Sequence, residues 1–222
     1  MATKKVTSLE VAKLAGVSQS AVSRVFTPGA SASKKTNEKV LSAAAELGYR
    51  PNILARSLIT GKSRIIGLVV SHLDNYFYPE ALELLSNALQ KKGYHVLVFM
   101  ASKTSGNIDD VVDEILDYQV DAIILASIAM SSNLANRCVA AGVPVMLFNR
   151  SQDDDRFSTV TSDNFLGGQK VARFLIAGGH KRIGYIAGWE GASTQHDREA
   201  GFIEELKQHG SSLYAREVGN FN

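Results

Sequence analysis

The sequence predicts an α/β protein in which a small helix-turn-helix domain precedes a doubly wound parallel sheet. Three observations support this fold class. Short helical patterns with capping signals fill the first 50 residues. From residue 64 onward, buried-type apolar runs alternate with amphipathic helices, as in a parallel sheet covered on both faces. The charge also changes there: residues 1–64 carry eleven basic and three acidic side chains, a net charge of +8, and the remainder has a net charge of −6.

The first domain, residues 1–50, contains three predicted helices with recognisable starts. Thr7 and Glu10 form a capping-box pattern, and Ser18 and Ser33 are good N-caps. The predicted helices run from Ser8 to Gly16, from Ser18 to the Pro28-Gly29 break, and from about Lys34 to Leu47. Two short helices joined by a glycine-containing turn, with a third completing a small core, are typical of a helix-turn-helix.

These residues resemble the N-terminal domain of the LacI/GalR family of bacterial transcription regulators. The motifs, in order, are Val11-Ala12-Lys13-Leu14-Ala15-Gly16-Val17-Ser18, Val22-Ser23-Arg24-Val25, Lys39-Val40 and Leu47-Gly48-Tyr49-Arg50-Pro51-Asn52. The resemblance implies that the second helix enters the major groove of double-stranded DNA, with Gln19, Ser20 and Arg24 toward the base edges. Glutamine pairs with adenine and arginine with guanine, so Gln19 and Arg24 are the better candidates for sequence reading.

Other polar residues of this domain are candidates for phosphate contacts, which fix register without reading sequence. They are Lys4, Lys5, Thr7, Ser18, Ser23, Ser33 and Lys34. The alternative for Ser18 and Ser33 is that they only cap helices.

Residues 51–63 are predicted to form a hinge helix and linker. Asn52 is cap-like after Pro51, and the segment is too short for a stable isolated helix. The family resemblance implies that it becomes ordered on DNA, with Leu58 as a minor-groove wedge, Ala55 beside the groove and Arg56 on the backbone. The alternative is a plain linker whose leucines pack on the second domain.

Residues 64–222 are predicted to form an effector domain. Predicted strands are 65–70, 95–99, 122–125, 143–148 and 183–187, and predicted helices lie near 79–92, 107–118, 131–141, 164–178 and 195–209. No further long helix or strand pattern follows residue 210, so we expect this domain to be incomplete at its C-terminus. We expect strand edges left open in this way to pair with other chains and to lower the stability of this domain. Ligands of such sheets bind beyond the carboxyl ends of the strands, which directs attention to residues 71–77, 149–150, 163 and 189–198.

This domain resembles the family's effector domain, which is similar to periplasmic sugar-binding proteins. The motifs are Gly67-Leu68-Val69, Asp121-Ala122-Ile123-Ile124, Gly142-Val143-Pro144-Val145, Asp163-Asn164, Gly178-Gly179-His180-Lys181-Arg182-Ile183 and Arg198-Glu199-Ala200-Gly201-Phe202. The resemblance implies effector contacts from Tyr76, Phe77, Asn149, Asp163 and Arg198. Asn149 replaces the acidic residue common there, which argues against a simple neutral-sugar pocket. The alternatives are Phe77 in the core, Asn149 in a turn and Arg198 in a surface ion pair.

The motifs of several other functional classes are incomplete. Gly61-Lys62-Ser63 lacks the earlier glycine of a phosphate-binding loop, and no dinucleotide-binding glycine motif follows a predicted strand. The histidines lack metal-ligand spacing, and Cys138 is a candidate core residue. We therefore expect no catalytic constellation, no cofactor and no metal site.

The sequence predicts a DNA-binding transcriptional regulator, a repressor that binds a palindromic operator as a homodimer and responds to a small-molecule effector such as a sugar or sugar acid. Because no apolar run is long enough to cross a membrane and no secretory signal pattern occurs, we expect a cytoplasmic protein without a membrane partner. The alternative is a small-molecule binding protein with a basic N-terminal extension. The second helix, which carries no acidic residue, favours the regulator.

Overall fold

The computed structural model describes residues 6–27, 29–51, 61–71, 73, 75–101, 108–128 and 130–219. The chain divides into two compact units, residues 1–61 and 62–222, which are considered separately. Several predicted contact residues lie outside the described ranges, namely Lys4, Lys5, Asn52, Ala55, Arg56 and Leu58.

Helices form the first unit, and their starts confirm the predicted caps. The helices are α1 (Ser8–Ala15), α2 (Gln19–Val25) and α3 (Lys34–Leu47). The Thr7 hydroxyl accepts from the Glu10 amide at 3.4 Å, and the Glu10 carboxylate accepts from the Thr7 amide at 2.7 Å. Gly16 then ends α1 with a φ of 65°, a left-handed conformation that glycine adopts without strain. The tight turn into α2 depends on this residue.

The core of the first unit holds α2 against its two neighbours. Val11 of α1, Val22 of α2 and Val40 of α3 are fully buried in one cluster. The Phe26 and Tyr49 rings extend it, with centroids 5.7 Å apart. Because Val22 anchors one side of α2, the opposite side of this helix is left to solvent.

The second unit contains a parallel sheet, which confirms the predicted fold class. Its strands are β1 (Ile65–Val70), β2 (His95–Met100), β3 (Ala122–Ala126), β4 (Val145–Phe148) and β5 (Ser158–Val160), in the order β2-β1-β3-β4-β5. The first three helices of this unit are α4 (Phe77–Lys91), α5 (Ile108–Asp117) and α6 (Ser132–Ala140). The register pairs Ile65 with His95 and Ile66 with Ala122, so the strands end together at their carboxyl ends.

Helices cover both faces of this sheet. Along β1, Leu68 and Val70 pack in a cluster with Tyr78 of α4. Val69, between them, belongs to a separate cluster with Ile115 of α5. This alternation follows from the two-residue period of a strand and defines a doubly wound sheet.

A smaller parallel sheet and two long helices complete the described part of the second unit. The strands are β6 (Gly184–Ala187) and β7 (Ala215–Val218), and the helices are α7 (Asn164–Ala177) and α8 (Ser193–Gln208). A methyl group added at Gly168 of α7 would lie 2.1 Å from the Arg198 carbonyl oxygen, and one at Gly201 of α8 would lie 2.0 Å from the Phe165 carbonyl oxygen. Both glycines are therefore required for the close approach of these helices.

Most predicted elements are confirmed to within two residues, but two strands were missed. β7 is a strand of four residues beyond residue 210, where no further long helix or strand pattern was predicted. Its residues, Ala215 to Val218, are all exposed, so no apolar periodicity marks it. It pairs with β6, and the Tyr214 amide donates to the Ile183 carbonyl at 2.8 Å. β5 was missed for the same reason, because Ser158 to Val160 are all exposed.

Candidate nucleic-acid interface and ligand site

One face of α2 is polar and open to solvent. Gln19, Ser20, Ser23 and Arg24 are all exposed, whereas Val22 is buried on the opposite side. The spacing of these four residues places them on one stripe of the helix. The structure therefore brings together the residues predicted to face DNA on a surface that a major groove can accept.

Local contacts hold this surface in place. The Ser18 hydroxyl accepts from the Ala21 amide at 3.2 Å and lies 2.9 Å from the Ser20 hydroxyl. Gln19 Nε2 donates to the Ser8 hydroxyl at 2.9 Å, which ties the start of α2 to the start of α1. Arg24 Nε makes a long contact, 3.5 Å, with the Ser20 carbonyl. This bond uses one N–H of the Gln19 amide, and the second N–H and the side-chain oxygen are not part of it.

Of the remaining described residues with predicted phosphate contacts, Thr7, Ser33 and Lys34 lie at helix N-termini, and Ser23 lies within α2. Thr7 belongs to the capping box, and Ser33 accepts from the Thr36 amide at 3.1 Å as the N-cap of α3. Lys34 and Ser23 are exposed. The capping role of Ser18 and Ser33 is therefore present, and phosphate contact from these exposed positions stays a prediction.

Polar residues meet at the carboxyl ends of β3 and β4. Asn149 Nδ2 donates to the Tyr78 hydroxyl at 3.1 Å and to the Ser127 hydroxyl at 3.3 Å, and these two hydroxyls also contact each other. Ser127 and Asn149 both have left-handed backbones, with φ of 58° and 57°. Such strained conformations of non-glycine residues occur preferentially at binding sites. We call Tyr78, Ser127, Asn149 and Arg150 the strand-end cluster.

Arg150 connects this cluster to the loop before α8. Its Nε donates to the Ser127 carbonyl at 3.4 Å and its Nη1 to the Gly191 carbonyl at 3.3 Å. The guanidinium carbon lies 4.9 Å from the centre of the Trp189 ring, within cation–π range. Arg150 is only 8% exposed, and this burial lowers the pKa of its guanidinium. The group nevertheless remains charged at neutral pH.

The predicted effector residues occupy varied positions around these strand ends. Tyr76 is 92% exposed, and Phe77 stacks on Phe148 with ring centres 5.9 Å apart. Asp163 caps α7 by accepting from the Leu166 amide at 2.9 Å. Arg198 is exposed, and its Nε donates to the Asn164 side chain at 2.8 Å. Asn149 joins the strand-end cluster, and effector contact from all five residues stays a prediction.

Sequence reasoning did not single out several residues of this region. Tyr78, Ser127, Arg150, Trp189 and Gln195 were not predicted as site residues. Gln195 is 3% exposed, and its side-chain oxygen accepts from the Gly188 amide at 3.0 Å. The strand-end rule did select the loops that contain Arg150, Trp189 and Gln195. It could not select among side chains, because hydrogen bonds between distant loops leave no local pattern.

Other features offer weaker candidate sites. A cavity of about 250 Å³ is lined by Cys138, Val143, Arg156 and their neighbours. It lies at the amino end of β4, away from the edge where parallel sheets bind ligands. Burial raises the pKa of the Cys138 thiol. No metal-type cluster of three or more histidine, cysteine or acidic side chains occurs among the described residues, and none of the helices in these ranges could cross a membrane.

The architecture and the exposed α2 face define a class: a helix-turn-helix unit joined to an α/β unit of periplasmic-binding-protein type. The family profile described as "Periplasmic binding proteins and sugar binding domain of LacI family" matches residues 63–220. The profile "Bacterial regulatory proteins, lacI family" matches residues 7–52. The chain therefore belongs to the LacI family.

Similar proteins cover both units. The Escherichia coli maltose regulon regulatory protein MalI is 34% identical over 213 residues, 96% of this chain and 62% of MalI. The Klebsiella pneumoniae sucrose operon repressor is 32% identical over 225 residues, 100% of this chain and 67% of that repressor. A crystal structure of the Lac repressor dimer bound to operator and the anti-inducer ONPF gives a TM-score of 0.85 at 29% identity, covering 99% of this chain and 67% of that chain. The chain thus spans roughly two thirds of its relatives' length.

Proposed function

We propose that this protein is a transcriptional repressor that binds a palindromic operator as a homodimer and responds to a small-molecule effector. The observation that carries the proposal is the exposed face of α2, with Gln19 and Arg24 on one stripe of a strongly basic unit. A positive surface attracts the phosphate backbone, and side chains on such a stripe read bases. The family membership supports the same function.

We assign effector binding to the strand-end cluster. Its polar groups lie at the carboxyl ends of parallel strands, where ligands of such sheets bind, and two of its residues carry strained backbones. The maltose regulon and sucrose operon regulators among the relatives favour a sugar or sugar derivative. The proposed contacts are Asn149 of this cluster and four residues outside it: Tyr76, Phe77, Asp163 and Arg198.

The surface of α4 and β2 supports self-association. α4 lies against β2, which is an edge strand of the sheet. Leu84 of α4 is 63% exposed, and Val98 and Met100 of β2 are 43% and 46% exposed. Apolar side chains on an edge strand and its neighbouring helix favour contact with a second protein surface. We propose a second copy of this chain as the occupant, because a palindromic operator requires two-fold symmetry.

A regulator of bacterial genes needs no catalytic group and acts in the cytoplasm, where the chromosome lies. We therefore propose a non-enzymatic, cytoplasmic role. The regulators among the relatives support both statements.

Genomic binding-site mapping followed by affinity measurements tests the proposal. The full chain should bind a selected operator more tightly than a scrambled duplex of the same length. The logarithm of its association constant should fall linearly with the logarithm of salt concentration. Equal affinity for the two duplexes would contradict the proposal and favour a small-molecule binding protein with a basic extension.

A further inference from the structure

Arg150 is a buried cation that has no acidic partner among the described residues. It is 8% exposed, and in the described part of the chain it bonds only to the Ser127 and Gly191 carbonyls. Removing a guanidinium from water is costly unless a negative charge compensates for it. Two neutral carbonyls and the Trp189 ring face supply only part of that compensation.

Several acidic side chains of the second unit already have partners. The Asp163 carboxylate caps α7, and Asp154 is held by Arg156. Glu199 accepts two hydrogen bonds from Arg216, which lowers the pKa of its carboxyl group. Position 149, directly before Arg150, carries a neutral amide. Glu190, which lies between Trp189 and Gly191, is bonded to Arg216. Among the described residues, no acidic side chain therefore bonds Arg150.

One nitrogen of Arg150 remains available. Nε and Nη1 donate to carbonyls, whereas Nη2 makes no hydrogen bond to the described residues. No fully buried side-chain nitrogen or oxygen lacks a partner in the described ranges, so Nη2 must reach solvent. A buried arginine that offers a free N–H to solvent at the strand ends is suited to bind an anion.

We propose that the effector carries an anionic group, a phosphate or a carboxylate, and that Arg150 binds this group through Nη2. The inference rests on the proposed function and narrows its effector class from sugars in general to acidic sugars. Arg150 is then a specificity-determining residue: it contacts the charged group of the ligand and favours acidic sugars over neutral ones.

Trp189 provides a direct readout. It is the single tryptophan of the chain, and its ring centre lies 4.9 Å from the Arg150 guanidinium carbon. Anion binding at Arg150 should therefore change the intrinsic fluorescence. The probes are glucose, glucose 6-phosphate, glucuronate, fructose, fructose 6-phosphate and inorganic phosphate, each titrated into the full chain at constant ionic strength.

We expect at least one acidic sugar to bind about tenfold or more tightly than its neutral counterpart, as a charge-assisted hydrogen bond in a buried site requires. Comparing the affinities of the sugar phosphates and of glucuronate shows whether the site prefers a phosphate or a carboxylate. Arg150→Gln should abolish the preference for acidic over neutral sugars, whereas Arg150→Lys should retain part of this preference. Arg156→Gln is the matched control, because this arginine lies in the same β4–β5 loop but is held by Asp154, and it should change nothing.

Equal binding of acidic and neutral sugars would overturn the inference, as would an unchanged preference in Arg150→Gln or no response to any anion. If Arg150→Gln does not fold, the wild-type and Arg150→Lys affinities still decide the outcome. Operator binding is measured in parallel. A chain that binds its operator but binds neutral sugars as tightly as acidic ones refutes the anionic effector and leaves the proposed function intact. A chain with no preference for its operator counts against the proposed function itself.

Discussion

At the scale of single residues, Gln19 has a contact that limits its predicted role. Its Nε2 donates to the Ser8 hydroxyl at 2.9 Å, so a bidentate contact with a base would have to share this nitrogen with Ser8 or replace that bond. Arg24 has only a long contact with the Ser20 carbonyl, 3.5 Å. We therefore expect Arg24 to contribute more to sequence discrimination than Gln19. The residue types that read DNA could be predicted from sequence, but the competing contact with Ser8 could not.

Replacing Arg24 with alanine should cost about 1–3 kcal/mol on the preferred operator and much less on random DNA. Lys34→Ala is the matched control, because a phosphate contact is lost on every sequence alike. Fluorescence anisotropy with operator and scrambled duplexes measures both variants. A similar loss on the two duplexes for Arg24→Ala would contradict base reading by this residue.

Glu205 should make the stability of the second unit depend on pH. It is 1% exposed and bonds Arg173 at 2.8 and 2.9 Å, which lowers the pKa of its carboxyl group, and His209 lies nearby. A carboxyl pKa lower in the folded state stabilises the protein above the unfolded pKa of about 4.3. This contribution is lost as the pH falls through the folded pKa.

Urea unfolding between pH 7 and pH 3 should therefore show a steep loss of stability at the acidic end. Glu205→Gln should be less stable at neutral pH and should show a flatter profile below about pH 4.3. Glu204→Gln, at the exposed neighbouring position, is the control. Parallel profiles for wild type and Glu205→Gln would exclude this role of the ion pair.

At the scale of elements, buried strands were predictable and exposed strands were not. β1 and β3 are buried on both faces and read as continuous apolar runs. β5 and β7 are exposed throughout, so only hydrogen bonding to a neighbouring strand defines them. Distant pairing of this kind is absent from local sequence patterns. Boundaries shifted for local reasons as well: β4 begins at Val145, after Pro144, whose nitrogen cannot donate.

The α7–α8 pair should be intolerant of a single methyl group. Gly168→Ala would place a methyl carbon 2.1 Å from the Arg198 carbonyl oxygen, so the helices must separate. We expect a loss of about 1–3 kcal/mol in the free energy of unfolding. At Gly167, an added methyl group meets nothing within 4 Å.

Gly167→Ala is therefore the control, and it should be neutral or stabilise the helix by up to about 1 kcal/mol. Chemical denaturation of both variants gives the comparison. Equal stability of the two variants would show that the close approach of α7 and α8 is not required.

At the scale of the whole molecule, charge asymmetry and motif order predicted the fold class, and the strand-end rule predicted the loops around the candidate ligand site. The positions of Tyr78, Ser127 and Trp189 in that site depend on contacts between loops far apart in sequence, and no local pattern encodes them. The hinge prediction is separate, because residues 52–60 lie outside the described ranges. It still makes a testable statement about how the two units cooperate.

If Leu58 acts as a minor-groove wedge, Leu58→Ala should weaken operator binding, because the contacts that offset base unstacking are lost. Linking the hinges of two chains by a disulfide through Ile53→Cys should strengthen operator binding, because the two hinges are then already held together. Operator affinity is measured for linked and unlinked forms with and without Leu58→Ala. The same affinity in all four would contradict the coupling.

The buried thiol of Cys138 can serve as a probe of motions in the second unit. It is the single cysteine of the chain and is 1% exposed, between α6 and the sheet. A thiol reagent can reach it only when this region opens, so the labelling rate at low reagent concentration measures the equilibrium of that opening. The dependence of the labelling rate on urea concentration then distinguishes local fraying of α6 from global unfolding. We expect an effector that closes the strand ends to slow labelling, so that ligand binding can be followed as kinetic protection of a sulfur atom.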